Sequence, residues 1–330
     1  MKSFARAIGL AIRYRPTLLG VIFTSLAVGV LWGANILPEV ATQTMTQRQL
    51  AWRRFKRHKL AIVCAGILVV ITLATILAGV ISPFGFAQLN LDALTQSPNL
   101  PHLMGTDTLG RDEFTRVLYG GRISLLVGIT VAVSAGVIGT VVGALAGYYG
   151  RWIDNLLMRM TDLFLAIPFL VTLVIASIAL RGAVPTPWDI VIVLTLFFWM
   201  PEARIVRGLF LSLKEKEFVE AARSLGASNR RIIFRHILPN AMGPIIVGVT
   251  LAVAAAILTE SALSFLGFGV QPPTPTWGNM LSEARNQITA APWLLWFPGL
   301  MILVTSLCVN FLGDGLRDAL DPHQRLEANV

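Results

Sequence analysis

Apolar residues along this chain come in long unbroken blocks rather than short alternations. Six blocks stand out, at 60–82, 123–149, 156–180, 190–210, 241–268 and 293–312. Each meets the roughly 20 residues that a helix needs to cross the hydrocarbon of a bilayer. Backbone groups in lipid find no water to bond with, so every block is expected to be helical. The pattern predicts an all-α membrane protein with six spans.

The polar stretches between the blocks have their own shape. The stretch at 82–121 carries Pro83, Pro98 and Pro101 and ends on "GRDEFTRVLYGGR", where Phe114, Val117 and Leu118 recur at helical spacing. A short surface helix leading into the second span is expected there. "GFGVQPPTPTWGNM" at 267–280 is too rich in Pro and Gly to continue a helix, so a rigid turn followed by a short helix through Met280 to about Ile288 is expected. Within the second span Gly139, Gly143 and Gly147 share one face and let another helix approach closely, either in the same bundle or in a second subunit.

The first 47 residues fit less simply. An apolar segment at 17–37 has Lys2, Arg6, Arg13 and Arg15 before it and a basic segment at 48–59 after it. A seventh span with an external N-terminus, an interfacial or re-entrant helix, and a leader of the signal type all remain open. A membrane-embedded helix is favoured over a leader, because no small-x-small cleavage site follows, and a start at Met45 would remove the conflict.

Composition agrees with the membrane class: 55% of the 330 residues are hydrophobic and 14% charged. The formal net charge of +9 could suggest nucleic acid. Its distribution says otherwise. If 52–59 is cytoplasmic, eighteen of the 27 Lys and Arg residues fall on that side, at 48–59, Arg151, Arg159, Arg204, Arg207, 214–235, Arg317 and Arg325. Only Arg111, Arg116, Arg122, Arg181 and Arg285 fall on the other. This sorting is the positive-inside rule, which places the C-terminus in the cytoplasm. Cys64 and Cys308 read as small core residues, and His58, His102, His236 and His323 show no metal-ligand spacing. No G-x-x-x-x-G-K-[ST] phosphate loop is present. The chain is therefore expected to bind no nucleotide, and an energy source would have to come from a partner.

The segment that departs from the rest is "EFVEAARSLGASNRRIIFRHILP" at 217–239, part of a polar loop at 211–240. A helix from about Lys216 to Leu225 would put Phe218, Ala221, Ala222 and Leu225 on one side and Lys216, Glu217, Glu220 and Arg223 on the other. Gly226 can end it in the left-handed conformation, and Ser228 can cap a second helix from Asn229 to Leu238 that loses regularity at Pro239. Ala221 and Ala222 would leave a smooth patch suited to a groove on another protein. A merely solvated loop is the competing reading.

Among polar residues in the spans, Glu260 lies about 30 Å along a helix from Asn240, near the external edge. It is a possible pathway or gate residue, although hydrogen bonding to a neighbouring turn is preferred. Asp162 is expected to form an ion pair with the group Glu202, Arg204 and Arg207. Asp107 and Arg111 are expected to shape the external loop structurally.

Glu220, Ala221, Ala222, Gly226, Ile237, Leu238 and Pro239 together resemble the EAA loop of ATP-binding-cassette importer permeases. "GTDTLGRDEFTRVLYGGRISL" at 105–125, "ESALSFLGFG" at 260–269, "PTWGNML" at 275–281 and "NFLGDGLRDALDP" at 310–322 resemble the oligopeptide and dipeptide branch. The likeness covers roughly 52–323 and leaves out the first 47 residues. It implies a type I ABC importer transmembrane domain with six core helices over 60–330, preceded by an N-terminal extension at 1–47 and the basic segment at 48–59. It implies that Glu220, Ala221, Ala222 and Gly226 form a coupling helix, with Phe218 and Arg223 as flanking contacts. The implied partners are a homologous second permease subunit, two ATPase subunits that use ATP and Mg, and an extracytoplasmic binding protein that delivers a peptide. The implied location is a bacterial cytoplasmic (inner) membrane.

Two other classes compete. A self-contained secondary transporter or channel predicts broken helices with facing half-repeats or charges near the midplane. A membrane-bound enzyme predicts a polar catalytic cluster at one interface. Neither signature stands out in the sequence.

Overall fold

The computed structural model describes residues 47–180 and 186–321. The apolar segment at 17–37, Arg181, His323 and Arg325 lie outside the described residues. In chain order the main helices are α1 (Gln47–Arg57), α2 (Lys59–Ile76), α3 (Glu113–Tyr149), α4 (Arg151–Leu165), α5 (Phe169–Leu180), α6 (Pro187–Lys214), α7 (Glu217–Ser224), α8 (Asn229–Phe265), α9 (Trp277–Ala284) and α10 (Trp293–Leu320). Apart from an isolated bridge between Thr106 and Asp112, the regular structure of the described residues is helical.

Four of these, α2, α3, α8 and α10, are long and apolar enough to cross a membrane. The expected crossing at 156–180 is not one helix. α4 and α5 meet at 92° around Pro168. Proline disfavours helical backbone at the preceding Ile167 and cannot donate to the turn before it, so the helix breaks there although the apolar run continues. The expected crossing at 190–210 lies inside α6, whose 28 residues are long enough to span, but α6 is not among the helices that are also apolar enough. Asp189, Glu202, Arg204 and Arg207 make α6 more polar than the others.

The expected surface helix at 113–118 is also corrected. Those residues are the first turns of α3, a continuous 37-residue helix started by Asp112, whose carboxylate accepts from the Thr115 N–H at 2.8 Å. Phe114, Val117 and Leu118 are buried, so their spacing marked a core face. The short helix after 267–280 is found as α9, where Thr276 and Asn279 cap each other reciprocally at 3.2 and 2.8 Å.

The glycine face of α3 is used within the chain. A Cβ on Gly143 would stand 2.4 Å from the Ala203 carbonyl oxygen of α6, and one on Gly147 would stand 2.7 Å from that of Arg207. Backbone therefore touches backbone along α3 and α6, which is how helices associate where lipid offers no hydrophobic drive.

The helix ends sort onto two faces. At one end the start of α2 meets the end of α10, where His58 Nε2 lies 3.8 Å from Asp318 Oδ2. Leu320 lies beside Gly243 in the first half of α8, and Arg207 pairs with Asp154, so the ends of α4 and α6 and the first half of α8 share that side. At the opposite end the Trp277 indole donates to the Val117 carbonyl at 3.0 Å and the Trp293 indole to the Thr106 carbonyl at 3.3 Å. The basic segments at 53–59 and 214–235 thus lie at one end of the bundle, the grouping that the charge pattern requires.

Candidate coupling site

α7 is eight residues long and sits between the end of α6 and the start of α8. Its inner side is Val219, fully buried, and Ala222. Val219 belongs to a cluster with Val206 and Phe210 of α6, Ala144 of α3, and Ile232, Ile233, Ile237, Ala241 and Ile245 of α8. Val219 thus places the short helix in a core that α3, α6 and α8 build together.

The outer side carries Phe218, 40% exposed, and Leu225, 88% exposed, with Glu217, Glu220, Ala221 and Arg223 open to solvent between them. Phe218 and Leu225 are the large apolar side chains on this otherwise charged face. The expected patch is corrected in one respect. Ala222 faces inward, so Ala221 alone supplies the small exposed position beside Phe218.

The turn after α7 follows the expectation. Gly226 has φ +77°, its N–H donates to the Arg223 carbonyl at 2.9 Å, and the Ala227 N–H donates to the Ala222 carbonyl at 3.0 Å. These two bonds make a Schellman turn, which needs a left-handed residue at position 226. Ser228 then caps the next helix by accepting from the Arg231 N–H at 3.4 Å.

Pro239 does not interrupt that helix. α8 runs for 37 residues, about 55 Å at helical rise, from Asn229 to Phe265. Residues Ile232–Ile237 are in the wider π register immediately before the proline. The wider turn carries the chain past a residue with no N–H. The Tyr148 hydroxyl of α3 donates to Asn229 Oδ1 at 2.8 Å and holds the start of α8. α7 is thus joined through a tight turn to a single helical rod of 37 residues.

At the far end of that rod Glu260 is fully enclosed. The Ser264 hydroxyl donates to its Oε1 at 2.7 Å and the Ser124 hydroxyl to its Oε2 at 3.2 Å, while Ser124 Oγ accepts from the Trp277 N–H at 3.2 Å. Glu260 therefore ties α8 to α3 and α9. The preferred reading, hydrogen bonding to neighbouring elements, describes it.

The intramembrane ion pairs differ in detail from the expected ones. Arg204 pairs with Asp162, as expected. Arg207 pairs with Asp154 of α4, a partner missed in the sequence, and its Nη2 lies 2.6 Å from Asp154 Oδ2. Glu202 joins neither pair; its carboxylate is buried against Gly248 of α8, and Oε1 has no hydrogen-bond partner.

Beyond Glu260 the far surface is held by charge. Asp107 Oδ1 accepts from the N–H groups of Leu109 and Arg111 at 2.8 and 2.9 Å. Arg111 and Arg116 both donate to Glu283 Oε2, at 2.6 and 2.8 Å, and lock the loop before α3 onto α9. Asp107 and Arg111 thus have the structural role expected, and Arg116 and Glu283, unremarked in the sequence, complete it.

Residues 139–326 match the family described as binding-protein-dependent transport system inner membrane component, and residues 46–101 match the N-terminal TM domain of oligopeptide transport permease C. A dipeptide transport system permease protein, DppC, of Alkalihalophilus pseudofirmus is 43% identical over 87% of this chain and 94% of its own length. An oligopeptide transport system permease protein, OppC, of Bacillus subtilis is 40% identical over 87% of this chain and 93% of its own. A glutathione transport system permease protein, GsiD, of Pectobacterium atrosepticum is 43% identical over 82% of this chain and 89% of its own. Among solved structures, an inward-facing MetNI methionine ABC transporter chain aligns over 62% of this chain and 96% of its own with a TM-score of 0.53 at 20% identity, a likeness of fold. These matches lead to one conclusion: the chain belongs to the family of binding-protein-dependent transport system inner membrane components.

Proposed function

We propose that this chain is one of two transmembrane subunits of an ATP-binding-cassette importer for di- or oligopeptides. Its partners are a homologous second permease subunit, two ATPase subunits that use ATP and Mg, and an extracytoplasmic binding protein that delivers the peptide. The chain itself binds no nucleotide. It spans a bacterial inner membrane several times, with α7 and the C-terminus in the cytoplasm, as its basic end favours.

The observation that carries this reading is the joining of α7 to α8. Phe218, Glu220, Ala221 and Arg223 face outward for a partner, while Val219, Ala222 and the Gly226 turn fix the helix to a rod about 55 Å long. When the ATPases close on ATP they pull α7, and α8 carries the displacement to the Glu260 tie at the far face. Alternating access then follows from moving packed elements as rigid bodies. The peptide class is supported by the names of the relatives, which handle dipeptides, oligopeptides and glutathione.

The test is uptake by proteoliposomes that hold the chain with its partner subunits. Labelled peptide should accumulate only with ATP on the α7 side and binding protein on the other. Accumulation without ATP would contradict the reading.

A further inference from the structure

The basic helix α1 has no part in the coupling mechanism. The stretch from 47 to 59, which is α1 followed by His58 and the first residue of α2, includes Trp52, Arg53, Arg54, Phe55, Lys56, Arg57 and Lys59 and holds no Asp or Glu. One side of α1 is fixed: Arg54 Nη1 donates to the Asp321 carbonyl at 2.8 Å, at the end of α10. The other side is open. Trp52 is 58% exposed, Lys56, Arg57 and Lys59 are exposed, the Lys56 ammonium lies 5.1 Å from the Trp52 ring centroid, and Phe55 stacks on that ring at 6.0 Å.

The position of this face matters as much as its charge. α2 starts at Lys59, where His58 Nδ1 accepts from the Ala61 N–H at 3.1 Å, and Leu60 already exposes an apolar side chain. The cations therefore stand at the level where the apolar belt begins. Topology by the positive-inside rule needs only charge near a span. It does not call for a segment anchored on one side that presents an indole and three cations on the other. An aromatic ring at the boundary with cations beside it is the chemistry that suits the glycerol and phosphate level of a bilayer. α1 also sits against α2 and α10, whereas α7 is held by α6 and α8, so the two surfaces rest on different helices.

We propose that α1 and the first residue of α2 form a binding site for anionic phospholipid headgroups, with Lys56, Arg57 and Lys59 on the phosphate and Trp52 inserted at the interface. The site ties the α2–α10 side of the bundle to the membrane surface while α7 moves.

The test measures phosphatidylglycerol and phosphatidylcholine binding to the purified full chain in detergent, by native mass spectrometry. The chain should prefer phosphatidylglycerol, and the preference should weaken as salt rises. The triple variant K56Q/R57Q/K59Q should lose phosphatidylglycerol affinity on the order of a hundredfold, about fivefold for each charge. W52A should weaken binding and W52F preserve most of it. Equal binding of the two lipids by the unaltered chain overturns the proposal whether or not the variants fold. So does undiminished phosphatidylglycerol binding by the triple variant. Displacement by inorganic phosphate at equal concentration would show a free-anion site instead. Loss of the ATPase subunits with lipid binding intact would show a protein-docking face, which equally overturns it.

Discussion

Glu202 of α6 lies against Gly248 of α8 so closely that a Cβ at position 248 would stand 2.4 Å from Glu202 Oε2. The two helices therefore pass each other with a buried carboxyl group wedged between them, and Glu202 Oε1 has no partner. A group of this kind is costly at rest and sensitive to any sliding of α8. Gly248→Ala should lower stability by about 1–3 kcal/mol, the usual cost of overpacking a filled interface. Glu202→Ala in the same chain should recover much of that loss, because it removes the atoms that clash. Thermal unfolding of the single and double variants in detergent checks the coupling; strictly additive losses would place the strain elsewhere.

Gly226 gives a second test with a different signature. Its φ of +77° costs a residue with a Cβ roughly 1–2 kcal/mol, and no atom within 4 Å would oppose a side chain on steric grounds. Gly226→Val should therefore insert normally and still lose the Schellman turn that fixes α7. ATP hydrolysis should continue while peptide uptake per ATP falls severalfold. Gly226→Asn, which tolerates the left-handed conformation better, should fall between the two. Normal uptake in the valine variant would count heavily against α7 as a stiff lever.

Val219 sets apart holding the lever from contacting a partner. Val219→Ala removes packing from a fully buried site and should cost about 1–3 kcal/mol locally, loosening α7 from α6 and α8. Ala221→Ser, on the open side, should leave stability unchanged. Protease sensitivity of the 211–240 region reads the difference directly.

At the opposite face, Glu283→Gln removes the carboxylate that Arg111 and Arg116 have in common. A lost charge-assisted bond of this type costs roughly 1.5–3 kcal/mol. The expected result is a lower melting temperature with peptide selection unchanged. Exchanging Asp107 and Arg111 should reduce folded protein in the same way; a changed range of accepted peptides would contradict their structural role.

Much of the coupling site is legible in the sequence because it depends on residues with few alternatives. Gly226 is placed by the left-handed turn that it alone takes cheaply, Ser228 by capping, and Gly139, Gly143 and Gly147 by a spacing that only a close helix contact uses. The inward face of α7 is harder. In eight residues Val219 with Ala222 and Phe218 with Ala221 make two short apolar stripes, and periodicity does not say which one meets the core. The tertiary packing of Ile232 and Ile237 decides it. The bend at Pro168 had a signal in the proline itself, masked by an unbroken apolar run. Pro239 misleads in the other direction, since the π turn before it lets α8 continue. The pairing of Arg207 with Asp154 instead of the expected Asp162 group follows from how α4 lies across α6, which membrane depth alone does not specify.

The most direct measurement replaces Ala221 with cysteine in a chain whose Cys64 and Cys308 have been changed to serine, and crosslinks it in membranes that hold the whole transporter. A product joining this chain to an ATPase subunit, with a yield that changes between nucleotide-free and ATP-trapped states, is the predicted result. Adducts with lipid alone, or labelling of position 221 by an impermeant reagent from the outside of intact cells, would contradict the account.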